Sequence, residues 1–180
     1  PNSGGEAVSP TLDELYAPFP DRSDRCAAVA VPADAVPEPY RSLLVHTHHM
    51  TVTVERFYGS PVDVRVLDAV RAGDSYSRKI LLSLRSTGAV VQFGIVHVDL
   101  SVLAPAVRDA IVEGKTPLGR VLIENDVLRT VNPAGFFRVT PSGPMAAWLG
   151  SAAETYGRIG VITADGKPAV RVAEILTAIG

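Results

Sequence analysis

Regular alternation of apolar and polar residues in the middle of the chain constrains its fold more than any other feature. Asp63 and Arg65 separate Val62, Val64 and Val66, and runs of the same kind precede and follow them, joined by short polar turns. Successive side chains of a β-strand point to opposite faces, so these runs predict strands connected as an antiparallel meander. The predicted strands cover residues 50–57, 62–70, 76–85 and 89–100.

The sequence pattern in the C-terminal part of the chain predicts further strands of the same sheet. Asp165-Gly166 is a typical hairpin turn between strands at residues 156–164 and 169–179. Another strand is expected within residues 127–139, mainly from Phe136 onward. Residues 141–155 are small and polar with one tryptophan, which indicates a loop or a short helix.

Three short helices are expected. Thr11 and Glu14 have capping-box spacing, so a first helix should run to Tyr16 or Ala17. Residues 101–113 carry an apolar stripe at helical spacing, and Gly114 is a stop signal. Thr116-Pro117 then predicts the N-cap and first position of a helix that reaches about residue 123.

Together these elements predict an α+β fold, with a single antiparallel β-sheet and a few helices packed against it. We expect residues 41–180 to form this domain. Residues 1–40 are expected to be an irregular, proline-rich N-terminal segment, because five prolines fall within residues 18–39 and residues 1–10 are typical of a flexible leader. The chain begins with Pro1 and not Met, so the native N-terminus is expected to lie upstream.

Composition narrows the function classes. The net charge of −2 gives no support to nucleic-acid binding, and no apolar run is long enough to span a membrane. Cys26 is the single cysteine, which excludes an internal disulfide and a multi-cysteine metal site. We therefore expect a cytoplasmic protein. Fourteen arginines against three lysines favour anion recognition or simply a GC-rich bacterial genome.

Two charged residues are in phase with apolar faces. Arg78 alternates with Ile80 and Leu82, whereas Lys79 falls on a mixed face, and Glu174 alternates with Val172. A buried charge is costly without a partner. Either Arg78 and Glu174 pair with each other, or a bulge turns one of them outward, or both face an enclosed polar pocket that binds an anion.

The histidine cluster and the Gly-Lys turn are less specific. His46 and His48 would share one face of an extended chain, as a metal pair does, but His46, His48 and His49 are as easily hydrogen-bonding or surface residues. No metal site is predicted. The turn from Gly114 to Gly119 lacks the spacing of a phosphate-binding loop.

Three segments resemble the chorismate pyruvate-lyase family, which converts chorismate to 4-hydroxybenzoate and pyruvate. They are Met50-Thr51, Ser77-Arg78-Lys79-Ile80-Leu81-Leu82, and Gly114-Lys115-Thr116-Pro117-Leu118-Gly119-Arg120; Tyr156-Gly157-Arg158 and the stretch from Gly166 to Glu174 also fit in order and spacing. The resemblance spans about residues 43–178. The first forty residues, residues 131–155 and the three histidines depart from the family pattern.

The resemblance implies a chorismate lyase-like sheet that encloses a ligand cavity. It implies that Arg78 binds the ring carboxylate, that Glu174 lies beside the ring hydroxyl, and that Met50 and Leu118 contribute backbone contacts. Elimination of pyruvate is driven by aromatisation, so no cofactor is expected. Glu174 would remove the ring proton, and Arg158 would be the partner of the second carboxylate.

The alternative is a binding module that performs no chemistry. The same fold resembles the effector-binding domains of some bacterial transcription regulators, and such a module would need Arg78 but not an enclosed base opposite it. The first forty residues are too rich in proline for a helix-turn-helix, so a complete regulator is not expected. In either case the partner is a small aromatic or cyclohexadiene carboxylate, and a lyase that gives an isomeric hydroxybenzoate remains open.

Overall fold

Seven strands form one antiparallel sheet in the order β1-β5-β6-β7-β4-β3-β2. The computed structural model describes residues 10–180. The strands are β1 (Ala28–Val31), β2 (Val62–Ala72), β3 (Ser75–Leu84), β4 (Val90–Asp99), β5 (Arg129–Val139), β6 (Thr155–Ala164) and β7 (Lys167–Leu176). The predicted α+β class is confirmed, with the hairpin β6-β7 near the centre of the sheet and the meander β4-β3-β2 running from there to one edge.

Helices cover both faces of this sheet. They are α1 (Leu12–Tyr16), α2 (Tyr40–Leu44), α3 (Met50–Tyr58), α4 (Pro105–Glu113), α5 (Leu118–Glu124) and α6 (Gly143–Leu149). Helices α2 to α5 pack on one face, against side chains such as Ile80, Val96 and Val172. Helices α1 and α6 pack on the other face, against Leu81 and Phe93.

Residues 50–57 form helix α3, so the predicted strand is wrong there. Thr51, Val52, Thr53 and Val54 are β-branched, and this composition favoured a strand. The buried positions are Met50, Thr51 and Val54, which lie on one side of a helix and not on alternate residues. Packing of this side on the sheet therefore overrides local propensity, and Gly59 ends the helix with φ +64°.

Residues 18–39, predicted as part of an irregular segment, contain regular structure and contribute to the core. Ala28–Val31 adds strand β1 to the edge of the sheet, opposite residues 136–139 of β5. Phe19 and Val36 are fully buried. The N-terminal segment thus contributes to the core, and the division of the chain at residue 40 stays a prediction.

The remaining helices start and end close to the expected residues. The capping box of Thr11 and Glu14 is present at α1, whereas the leader predicted before it lies, apart from the buried Pro10, outside the described residues. Helix α4 begins at Pro105, after a 3₁₀ turn at Leu100–Val102. Helix α5 begins at Leu118, one residue later than predicted, with Pro117 as its N-cap.

Candidate functional site

Four of the five predicted site residues line one cavity between the sheet and helices α3 and α5. Arg78 and Glu174 come from β3 and β7, Met50 from the first turn of α3, and Leu118 from the first turn of α5. We call this space the inner cavity. Its floor is made of apolar side chains of the sheet, namely Val64, Ile80, Leu82, Val96, Ile162 and Val172.

The sheet register places Arg78 and Glu174 on the same face but apart. Arg78 lies opposite Val96, and Val96 lies opposite Val172, two residues before Glu174. No ion pair joins Arg78 to Glu174 in the described part of the chain. The alternative that the two charges neutralise each other is therefore wrong, as is the alternative that a bulge turns one of them outward.

Arg78 is a buried cation without an acidic partner. Its side chain belongs to a residue that is 1% exposed, and no carboxylate of residues 10–180 lies within ion-pair distance. Nη1 donates to the carbonyl oxygen of Ile111 at 2.9 Å, while Nε has no hydrogen-bond partner. Burial lowers the pKa of this guanidinium from its usual value. A charge in such a position favours the binding of an anion.

Glu174 is paired with Arg158, its cross-strand neighbour on β6. Arg158 Nε donates to Glu174 Oε2 at 2.6 Å, and the side chain of Glu174 keeps 13% exposure. Within the described residues, Oε1 of Glu174 makes no hydrogen bond. This second oxygen can accept a hydrogen bond from a ligand while the first remains bound to Arg158.

Arg158 itself lies outside the lining of the inner cavity. It is 1% exposed, and Nη1 donates to the carbonyl oxygens of Leu44 at 3.2 Å and His46 at 3.1 Å. Nη2 donates to the carbonyl oxygen of His48 at 3.1 Å. One guanidinium thus holds the loop between α2 and α3 onto the sheet. Its predicted role as partner of a second carboxylate stays a prediction. A ligand carboxylate bound there would compete with Glu174 and these backbone carbonyl groups for the guanidinium.

The three histidines are placed differently from one another. His46 Nε2 lies 2.6 Å from the carbonyl oxygen of Leu43, and burial, followed by the charge of Arg158, lowers its pKa. His48 is exposed. His49 is buried as the N-cap of α3. In residues 10–180, no three His, Cys, Asp or Glu side chains are grouped as metal ligands.

His49 forms the wall between the inner cavity and a second, open space. We call this second space the outer groove; it runs between α3, α5 and the start of β5, and His49, Val52, Arg56, Ile123, Leu128 and Arg129 are among its lining residues. The volume of the outer groove is about 830 Å³, whereas that of the inner cavity is about 40 Å³. The inner cavity therefore has room for a few water molecules, and a ring would need it to widen.

Two side-chain pairs, one at this site and one on the opposite face of β3, were missed at the level of sequence. Arg129 donates from Nε to His49 Nε2 at 2.6 Å, and no sequence pattern linked these residues. Lys79, on the opposite face of β3 from Arg78, is also buried and pairs with Asp24 at 2.5 Å. Strict alternation with Leu81 was a usable signal for Lys79, because Leu81 is fully buried.

A close contact between helices α5 and α3 also bounds the inner cavity. A Cβ atom on Gly119 would lie 3.1 Å from Thr51 Oγ1 and 3.2 Å from His49 Cβ. The absence of a side chain thus lets the first turn of α5 pack directly against the first turn of α3. The inner cavity is closed along this seam.

No helix in the described residues is long and apolar enough to cross a membrane. No protein-family model matches the chain, and no curated protein matches its sequence. The specific chorismate pyruvate-lyase family therefore stays a prediction, as do the absence of a metal or cofactor and the absence of a nucleic-acid partner.

The solved structures that are similar to this chain include two of PhnF. The crystal structure of PhnF from Mycobacterium smegmatis superposes with a TM-score of 0.51 and 13% identity, over 74% of this chain and 65% of that one. The crystal structure of the effector domain of PhnF superposes with a TM-score of 0.51 and 13% identity, over 73% of this chain and 89% of that domain. The chain thus spans about two thirds of the PhnF chain, and at this identity the likeness concerns the fold alone. The chain has the chorismate lyase-like α+β fold of the PhnF effector domain.

Proposed function

We propose that this chain is a binding domain for a small cyclic carboxylate, with the carboxylate held by Arg78. The observation that carries the proposal is the position of Arg78 in the inner cavity, buried and without an acidic partner among residues 10–180. A guanidinium in this state lacks the counter-ion that normally offsets its desolvation. A carboxylate ligand supplies that charge and accepts two parallel hydrogen bonds.

The remainder of the cavity defines the rest of the ligand. The floor beside Arg78 is apolar, with Ile80, Val96 and Val172 on three neighbouring strands. An apolar ring lies favourably on such a surface. At the far end, Oε1 of Glu174 accepts a hydrogen bond, which fits a hydroxyl group across the ring from the carboxylate. Hydroxybenzoates and related cyclic acids combine these three features.

The likeness to PhnF supports a binding role over catalysis. The matched part of PhnF is described as its effector domain, which by that term responds to an effector. The pairing of Glu174 with Arg158 supports the same conclusion, because Arg158 already occupies one oxygen of the only carboxylate that lines the cavity among residues 10–180.

Replacing Arg78 by methionine should weaken binding of 4-hydroxybenzoate at least about 30-fold, because loss of one partner of a buried charge-assisted pair costs about 2–5 kcal/mol. Isothermal titration calorimetry with benzoate, 4-hydroxybenzoate and cyclohexanecarboxylate measures the change. Methionine keeps an unbranched apolar stem in place of the arginine stem and carries no charge.

The matched control is Arg65→Met, since Arg65 is exposed on the neighbouring strand β2. This variant should bind each acid as the unchanged protein does. The proposal is wrong if none of the three acids binds, or if binding survives Arg78→Met undiminished.

Chorismate pyruvate-lyase activity is the second candidate, since Arg78 and Glu174 line the same cavity. In this reaction the ring C–H bond beside the retained hydroxyl breaks and its proton passes to Glu174. The electron pair forms the aromatic ring, the C–O bond to the side chain breaks, and the leaving enolate takes up a proton to become pyruvate.

Glu174→Gln distinguishes the two candidates. For a lyase, chorismate should yield 4-hydroxybenzoate and pyruvate with the unchanged protein but not with Glu174→Gln, which retains the shape and hydrogen-bonding reach of the residue. Chromatographic product analysis measures this, with Glu124→Gln at the exposed end of α5 as the control. Product formed equally by both variants would show that Glu174 takes no part in the reaction. If no form of the protein gives product, the binding domain is the candidate that stands.

A further inference from the structure

We propose that the ligand reaches Arg78 from the outer groove and that His49, latched by Arg129, is the gate it passes. This inference rests on the proposed function, because it concerns access to the same cavity. It assigns Arg129 as the residue that selects for an anion at the gate, which neither the family resemblance nor the likeness to PhnF indicates.

The first argument is the position of His49. It is the residue of the loop between α2 and α3 that lines both the inner cavity and the outer groove. The neighbouring wall is closed, because the first turn of α5 packs at Gly119 against Thr51 and against Cβ and Cγ of the His49 side chain, which leaves the outer part of the ring free to turn. Moving the His49 ring therefore joins the two spaces without separating these helices.

The second argument is the way in which His49 is held. Among residues 10–180, its ring has one hydrogen bond to another side chain, from Arg129 Nε to His49 Nε2 at 2.6 Å. The imidazole is neutral near pH 7, since burial, Arg129 and Arg158 lower the pKa of His49 to about 4. A neutral acceptor on a guanidinium forms a weaker hydrogen bond than a carboxylate does in the same place.

The third argument is that Arg129 has a hydrogen-bond donor available for a ligand. Nη1 donates to the carbonyl oxygen of Val127 at 2.9 Å, and Nη2 makes no hydrogen bond within the described residues. No carboxylate of residues 10–180 lies within ion-pair distance of Arg129 or of Arg56, which lines the same groove. An incoming carboxylate can therefore bind Nη2, compete with His49 for the guanidinium and release the ring.

The apolar surface of the groove suits the rest of such a ligand. Leu128 is 75% exposed and Ile123 is 38% exposed, and both line the outer groove. A cyclic carboxylate thus finds there the same combination of cation and apolar surface that the inner cavity offers. The groove binds it weakly, because the groove is open to solvent, and the cavity binds it more tightly.

A gate changes the rates of binding and release together. His49→Ala should raise both the association and the dissociation rate constants about tenfold, because one hydrogen bond to a charged group no longer holds the gate closed. The dissociation constant should change little. Fluorine NMR exchange measurements with 3-fluoro-4-hydroxybenzoate give both rate constants and the affinity.

Two further variants keep the result interpretable. His97→Ala is the matched control, because His97 lies on β4 and lines neither the inner cavity nor the outer groove, so its rates should equal those of the unchanged protein. Arg129→Met removes the latch from the other side and should raise the dissociation rate constant in the same way, even if His49→Ala does not fold.

The outcomes separate this inference from the proposed function. Binding that depends on Arg78, with dissociation rates unchanged in both His49→Ala and Arg129→Met, means that the ligand takes another path and the gate is wrong. Faster dissociation with unchanged association in His49→Ala, and hence a weaker affinity, makes His49 a ligand contact and also overturns the gate. Loss of any binding that depends on Arg78 overturns the proposed function itself.

Discussion

Lys79→Met should lower the free energy of unfolding by about 3–5 kcal/mol, because it leaves a buried carboxylate without its partner. Lys79 and Asp24 have side-chain exposures of 4% and 2%, and Nζ also donates to the carbonyl oxygen of Asp21 at 2.8 Å. Phe19 and Tyr16 surround the ammonium group, with ring centroids 4.9 and 5.1 Å from Nζ. Chemical denaturation followed by circular dichroism measures the loss.

The hydrogen bond from Tyr16 to Asp24 does not replace Lys79 as the partner of the carboxylate. Burial, then the charge of Asp24, raises the pKa of Tyr16, so the phenol stays protonated and donates to Asp24 Oδ2 at 3.3 Å. That hydrogen bond does not neutralise the carboxylate. The double variant Lys79→Met with Asp24→Leu should regain much of the lost stability, since neither charge remains. A Lys79→Met variant as stable as the unchanged protein would mean that the pair contributes nothing.

Arg158→Met should be the second strongly destabilising substitution, again by about 3–5 kcal/mol. It removes the counter-ion of Glu174 and the donors that satisfy three backbone carbonyl groups between Leu44 and His48. Buried carbonyl groups without a donor are costly, and the last carbonyls of α2 have no partner within their own helix.

Two measurements locate that loss in the loop between α2 and α3. Hydrogen exchange should show lower protection at the start of α3 and the end of α2, while the centre of β4 stays protected. Arg138→Met is the control, because Arg138 and Glu154 form a half-exposed pair at 3.5 Å, worth at most about 1 kcal/mol. If both variants lose equally little stability, Arg158 is not the residue that holds the loop.

The residues of the candidate site were easier to predict from the sequence than the helices around them. Period-2 alternation alone put Arg78 and Glu174 on apolar faces, and the structure brings both to one cavity. This worked because a strand has only two faces, and side chains two residues apart lie on the same one. The bulge at Leu67 in β2 shows the limit, since alternation changes phase there and the regular pattern predicted to residue 70 does not persist.

Long-range pairing is what the sequence could not provide. Met50–Tyr58 is helical because of the sheet it packs on, although its β-branched residues prefer strands. Ala28–Val31 joins the sheet as a short, mostly exposed strand, with no alternation to reveal it. The partners Lys79 and Asp24 are 55 residues apart, and Arg129 and His49 are 80 apart. Nothing local to either residue identifies the other.

Arg78 and Lys79 are successive residues of β3 that carry buried positive charges on opposite faces of the sheet. On one face the chain provides its own carboxylate, from Asp24. On the other face, in the proposed function, the carboxylate is dissolved in the surrounding solution. The stability of this protein then follows the concentration of a metabolite: a ligand at one hundred times its dissociation constant adds about 2.7 kcal/mol to the free energy of unfolding. Folding and sensing are thereby one thermodynamic equilibrium.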